Sequence, residues 1–355
     1  MRLIPLICLI FSMGCLISIC PAQDSTQKTF FQWNGYLKDL NIISFPNKLQ
    51  PFKYENIIHN RFNLDWQSNR WKAGAALRNR FFWNNNQLKS SLERLWVEYR
   101  NERLSITAGR QRINWGMNNS WNPNDIFNTY NLFDFDFEER SGVDGMKMHY
   151  RFSSNSSLDL AWKPHYTSYK NIIAVKYNRH IGSYDWQLIG GFFNSRPTIG
   201  MGWQGSMGNT GFKGEIQYFS KDPFSPGRLN ASIEWDFIST KGWYWTGSLL
   251  FNQRGLHEHP GNWEALNFSN TADKLMPTRW NTLIALRKEI TPIISASMHV
   301  LQAPLTGLWI FYPTGSFNLM SNLLLDMVWQ GFWGHRHKGF ISIQHTGFIR
   351  LKYSF

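Results

Sequence analysis

From about residue 58 to the C-terminus, apolar and polar side chains alternate over runs of roughly ten residues, and this pattern restricts the fold more than any other feature. Ile58, Phe62, Leu64 and Trp66 fall on one face of an extended segment, with His59, Arg61, Asn63, Asp65 and Gln67 on the other. Trp71, Ala73, Ala75 and Leu77 oppose Lys72, Gly74, Ala76, Arg78 and Arg80, and Leu104, Ile106 and Ala108 oppose Ser105, Thr107, Gly109 and Gln111. Met146, Met148, Tyr150 and Phe152 oppose Lys147, His149 and Arg151, while Leu229, Ala231, Ile233, Trp235 and Phe237 oppose Asn230, Ser232, Glu234 and Asp236. A period of two is strand geometry, and roughly ten residues is the length a tilted strand needs to cross a bilayer. After residue 22 no apolar run approaches the roughly 20 residues of a membrane-crossing helix.

A soluble antiparallel sandwich also alternates. Two features favour a membrane barrel instead. The apolar faces end in aromatic residues, as at Trp66, Trp71, Trp162, Trp186, Trp235 and Trp280, and the chain carries 18 Trp with 16% aromatic residues overall. Such rings settle at headgroup depth, where an apolar body and a polar handle are both satisfied. The opposite faces place Arg and Lys mid-strand, where a sandwich would carry more modest charge. Hydrocarbon offers no partner to an open sheet edge, so the sheet must close. The expected fold is all-β: one transmembrane antiparallel β-barrel over residues 23–355, with about 16 strands and a range of 14 to 18. Short polar turns are expected at Gln67–Arg70, Arg100–Arg103, Ser153–Ser156 and His180–Ser183, alternating with longer segments at about 41–56, 82–90, 113–142 and 164–170.

The N-terminus reads as a cleaved signal peptide over residues 1–22. Arg2 gives a positive start, Leu3 to Cys20 is uncharged and apolar, and Cys20-Pro21-Ala22 supplies small residues before the polar Gln23-Asp24-Ser25-Thr26. A single anchor helix and a lipoprotein signal at Cys15 fit less well. The 3 cysteines, Cys8, Cys15 and Cys20, all lie in this leader, so the mature chain has no disulfide framework, thiol catalysis or cysteine metal site. A formal net charge of +13 suits lipopolysaccharide or anionic solutes; the export signal and the lack of a recognisable motif disfavour nucleic acid.

Three stretches resemble porin-like outer-membrane barrels common in Bacteroidota, related proteins being described as alginate-export-like. They are the runs Gly109 to Gly116 (GRQRINWG), Trp121 to Asn128 (WNPNDIFN) and Phe133 to Asp144 (FDFDFEERSGVD), a likeness confined to about residues 104–152. The C-terminal strand resembles the assembly signal of outer-membrane proteins, with Ile349, Leu351 and Tyr353 alternating before a terminal Phe355. These resemblances imply an outer-membrane setting of lipid and lipopolysaccharide and recognition by the barrel-assembly machinery.

The segment 113–142 is the candidate constriction. In Phe133 to Glu138 the acids Asp134, Asp136 and Glu138 alternate with Phe133, Phe135 and Phe137, which puts carboxylates on one face if the segment is extended. The lumen faces of the early strands carry Arg61, Lys72, Arg78, Arg80, Arg94, Arg110, Lys147 and Arg151. An acidic loop opposite a basic wall sets up a transverse field that orients polar or charged solutes. The structural reading is a latch in which acids and bases pair to pin the loop or plug the barrel. A calcium site on the three acids is disfavoured because an extended strand spreads them apart. The histidines His59, His149, His299 and His345 stand singly on strands without a serine signature, and His335 with His337 and His257-Glu258-His259 make weak metal candidates. The expected function is passage of small polar or anionic solutes, without catalysis, cofactor or metal. The alternatives are a plugged barrel for polysaccharide export, assembly or adhesion, and an outer-membrane hydrolase. Substrate and oligomeric state do not follow from the sequence.

Overall fold

In the computed structural model, which describes residues 29–46, 52–129, 134–136, 142–167, 170–223, 226–260, 270–336 and 339–355, all strands belong to one closed antiparallel sheet. The strands are β1 (Phe30–Pro46), β2 (Lys53–Ser68), β3 (Trp71–Phe82), β4 (Gln87–Arg100), β5 (Leu104–Gln111), β6 (Val143–Ser153), β7 (Ser156–Lys163), β8 (Ile172–Ile181) and β9 (Tyr184–Phe193). They continue with β10 (Arg196–Met207), β11 (Thr210–Phe219), β12 (Arg228–Ile238), β13 (Trp243–Asn252), β14 (Trp280–Thr291), β15 (Ile294–Ala303), β16 (Leu308–Met320), β17 (Leu323–Arg336) and β18 (Gly339–Ser354). Each strand pairs with its sequence neighbours, and β1 pairs with both β2 and β18, which closes an 18-stranded barrel without a free edge. That number is the top of the expected range. The expected leader lies outside the described residues.

Alternation decides which side chains line the lumen. In β2 the inward His59 and Arg61 are buried, whereas Trp66 on the outward set is exposed. Outward aromatics form two girdles. Trp66, Trp71, Tyr99, Trp186 and Trp235 lie near the short-turn end, and Trp83, Trp162, Trp280, Trp309 and Trp333 near the loop end. Large apolar side chains between them stay exposed, such as Leu188 at 56%, Ile284 at 57% and Met327 at 48%. An outer wall so apolar is a lipid-facing surface. The four expected turns fall where the sequence places them, and the start of β1 meets the end of β18 at the turn end, where the Gly35 N–H donates to the Phe355 carbonyl at 3.0 Å and the Phe355 N–H donates to the Gly35 carbonyl at 3.0 Å.

Three loop expectations need correction. The segments 41–56 and 82–90 are mostly strand, because β1 runs to Pro46 and β2 starts at Lys53, and because β3 runs to Phe82 and β4 starts at Gln87. The loop end also holds a tight connection at Asn194–Ser195, with φ of 50° and 63°, so length does not alternate around the whole rim.

The apolar core sits inside the lumen. Ile113, Trp115, Ile126 and Phe127 from the β5–β6 loop pack on Ala161, Ile172, Ile189, Phe193 and Phe219 of the inner wall. Trp121 of the same loop joins Leu275 and Met276 of the β13–β14 loop against Leu250, Leu283, Leu301 and Ile310. A barrel this wide is thus filled on its β7–β16 side by two inward loops.

Candidate pore and its inward loops

The β5–β6 loop enters the lumen because its apolar side chains find a wall there and its backbone N–H groups find carboxylates. Glu215 of β11 is fully buried and accepts the N–H of Met117, of Asn118 at 2.8 Å and of Asn124 at 2.8 Å. Glu234 of β12, equally buried, accepts the N–H of Asn119 at 2.9 Å and of Ser120 at 3.0 Å, and the Ser248 hydroxyl at 2.9 Å. Two acids in the wall therefore hold five loop amides that no regular structure would satisfy. The Asn118 amide donates to Ser232 Oγ at 2.6 Å, and the Gln187 amide donates to the Trp115 carbonyl at 3.0 Å. Within the loop, Asp125 accepts the Trp115 N–H and Asn128 accepts the Ile113 N–H, stitching its two limbs together.

Space for the loop comes from glycine. A Cβ at Gly200 of β10 would stand 1.8 Å from Gln217 Oε1 and 2.8 Å from Asn124 Oδ1, and one at Gly202 would meet Asn124 and Gln187. The bare strip lets Asn124 reach the β10 backbone, where its amide donates to the Met201 carbonyl at 2.9 Å.

The acidic end of the loop lies against the opposite wall. Asp136 pairs with Lys38 of β1 and stands 3.5 Å from His59 Nδ1 of β2. The Phe135 ring packs 5.4 Å from Phe348 and lies under the Arg350 guanidinium at 4.4 Å. Arg350 is fixed in turn by Asp326, with N···O distances of 2.9 and 2.7 Å. Asp134 accepts the Asp136 N–H at 3.1 Å. Partial enclosure in the lumen, helped by the Asp136 charge, raises the Asp134 carboxyl above its ordinary range, with Arg80 and Lys38 opposing the shift. Glu138 lies outside the described residues. The loop thus reaches from β11–β12 to β1, β2 and β18.

The sequence-derived basic wall is largely inward. Arg61 and Arg78 are buried and share Glu93, at 3.5 and 2.8 Å. Arg80 stands beside them on β3, Lys72 further toward the turn end opposite Gln67 and Glu98, and Arg94 opposite Ala76. Lys147 and Arg151 share the inward face of β6, with Arg151 exposed at the turn end. Arg110 is a correction. Residue 110 shares its face with Leu104, Ile106 and Ala108, so its side chain is outward, where Asp144 binds it in a two-bonded pair at 2.8 and 2.6 Å. Sequence reasoning missed Lys38, Arg350, Glu93, Glu215 and Glu234 as site residues, although Arg350 and Glu234 stand on the polar sides of segments it recognised. It also missed the second inward loop. There Arg196 binds Asp273 at 2.7 Å, Arg228 adds a contact at 3.4 Å, and the amides of Asn230 and Asn252 donate to the Ala272 and Met276 carbonyls. Cavities of about 490 Å³ and 420 Å³ flank the first loop, one lined by Ser120, Thr246, Ser297 and His299 toward the turn end, the other by Phe127, Thr129, Lys163 and Thr271 toward the loop end.

The histidines do not assemble a hydrolytic site among the described residues. His149 meets Asp159 at 2.7 Å in a pair that lacks a nucleophile. Ser342 meets His345 Nε2 at 2.6 Å, but the buried Nδ1 of His345 has no hydrogen-bonding carboxylate or carbonyl among the described residues, and the ring is held by stacking on Trp329 instead. Asp136 is engaged with Lys38, and the described residues hold no cluster of three metal-ligating side chains.

These features define a porin-like β-barrel, an 18-stranded lipid-facing cylinder with a loop folded into its lumen. Among solved structures the chain is similar to OprD of Pseudomonas aeruginosa, at 8% identity and a TM-score of 0.65, over 92% of this chain and 95% of that one. It is also similar to OccK11 (OpdR) of the same organism, at 10% identity and a TM-score of 0.62 over 92% and 96%. Acinetobacter baumannii OccAB1 matches at 8% identity and a TM-score of 0.62 over 92% and 96%. Likeness at such identity is likeness of fold. No protein-family model matches the chain, and no curated protein matches its sequence.

Proposed function

We propose that the protein is an outer-membrane channel for small solutes, biased toward polar or anionic ones. One observation carries this reading: the β5–β6 loop is clamped across the lumen and its Asp134–Asp136 end faces an inner wall bearing Lys38, Arg61, Arg78, Arg80 and Arg350. Opposed charges in a narrow, partly dehydrated passage orient a dipolar solute, and the surplus of fixed cations raises the local concentration of anions. The remaining inward sequence candidates, Lys72, Arg94, Lys147 and Arg151, extend that wall toward the turn end. Outward Ile349, Leu351 and Tyr353 with terminal Phe355 support recognition by the assembly machinery, and the leader over 1–22 supports export. Lipid and lipopolysaccharide are the partners of the outer wall. The narrower affiliation with alginate-export-like barrels of Bacteroidota rests on residues 104–152 alone.

Single-channel recording in a planar bilayer under a salt gradient tests the reading. Stable conductance steps with an anion-leaning reversal potential are expected, and Arg78→Glu with Arg80→Glu shifts the reversal toward cations. A folded barrel without conductance refutes it. That result favours the second reading, a plugged barrel, which draws support from loop contacts on both walls; deletion of 114–141 then opens the pore.

A further inference from the structure

We infer that the cavity of about 490 Å³ beneath the first inward loop is a binding site for neutral polyhydroxylated solutes of monosaccharide size. The inference rests on the channel reading and names a substrate class for it. The hydroxyls of Ser120, Thr246, Ser295, Ser297, Thr314 and Ser316 line the cavity, from the loop above and from the inner wall of β13, β15 and β16. Its volume falls in the range of small-ligand pockets, about 300–1,000 Å³.

Strand register sets these groups side by side. Ser297 pairs with Thr314 and Ser295 with Ser316 across β15 and β16, a grid of about 5 Å by 7 Å. Thr246 of β13 pairs with Ala285 of β14, a small side chain that keeps the wall low between Thr246 and β15. The roof is Asn119 and Ser120, whose N–H groups Glu234 holds at 2.9 and 3.0 Å. The clamp that seats the loop therefore also shapes the cavity.

The side chains of Thr246, Ser295, Ser297 and Thr314 make no hydrogen bond among the described residues, whereas Ser316 donates to Asp326 at 2.5 Å and keeps its acceptor side. A hydroxyl is donor and acceptor at once. An alcohol group answers both roles, while a carboxylate or phosphate only accepts. Adjacent free hydroxyls are thus matched best by a solute carrying several hydroxyls of its own. Charge adds no strong competing preference. No carboxylate lines the cavity among the described residues, and the exposed Arg287 guanidinium shares the inward face of β14 with Glu289. Tyr244 and Leu283 add apolar surface for the C–H face of a sugar ring.

The test is saturation-transfer NMR on the purified barrel in a detergent without a sugar headgroup. Methyl α-D-glucopyranoside is the probe, and cyclohexanol, a ring of the same size with a single hydroxyl, is the comparison. Transfer to the glucoside and not to cyclohexanol is expected. In Ser297→Ala combined with Thr314→Val, the dissociation constant for the glucoside rises about 10-fold through the loss of paired hydrogen bonds, and it rises less in Thr246→Val. No transfer to the glucoside, equal transfer to cyclohexanol, or a dissociation constant unchanged in these variants overturns the inference. Heat-modifiable migration reports the fold of each variant, and Thr246→Val carries the test where the double variant does not fold. Binding does not require conduction, so a barrel that binds the glucoside but passes no current fails the channel reading alone.

Discussion

Replacing Glu215 by Gln asks how much of the loop's placement depends on one buried carboxylate. Its two oxygens accept three loop N–H groups, two on Oε1 from Met117 and Asn118 and one on Oε2 from Asn124. The glutamine keeps one acceptor oxygen and points an amide donor at the remaining backbone donors. At least one charge-assisted bond is lost outright and the others weaken to neutral ones, which costs about 1.5–3 kcal/mol where the group is dry. With Glu234 still holding Asn119 and Ser120, the loop stays mostly seated, but its released population rises about 10- to 150-fold. Amide hydrogen exchange reads this directly: protection at 117–124 falls by that factor, while amides of β14–β18 keep theirs. In single-channel records the same change appears as faster open-state flicker. Unchanged exchange at 117–124 in a folded Glu215→Gln barrel refutes the argument that the wall acids hold the loop.

Gly200→Val drives a side chain into Asn124 and Gln217, so it loosens the same loop amides without touching a charge, and exchange at 122–126 measures it. Asp273→Ala leaves the buried Arg196 without its 2.7 Å partner and lowers stability by about 3–5 kcal/mol, seen as a drop in heat-modification temperature; an unchanged midpoint sinks the pairing. Asp134 has a carboxyl raised by enclosure in the seated loop, so the stability it adds is complete below the ordinary carboxylate range and is lost as pH rises through the raised value. Channel flicker therefore increases with pH across that window, and Asp134→Asn flattens the dependence.

Alternation by itself determined the barrel, because a period of two leaves no choice about which side chains share a face and hydrocarbon forbids an open edge. The same rule located Arg61, Arg78 and Arg80 in the lumen and, applied one residue further along β5, would have put Arg110 outside. Strand number was less legible: β10, with glycines at 200, 202 and 205, and β1, whose outward set includes Asp39 and Asn41, break the apolar rhythm for reasons that only their neighbours explain. The composition of 113–142 announced an unusual loop, but its course depended on Glu215 and Glu234, nearly a hundred residues or more away in sequence and inconspicuous among other polar strand residues. Nothing local in 270–279 foretold a second inward loop, since Arg196 and Arg228 face Asp273 only once the sheet has curled shut. Periodicity is a property of each strand and survives in the sequence; which loop amide meets which wall carboxylate is a property of closure, and tertiary structure alone decides it.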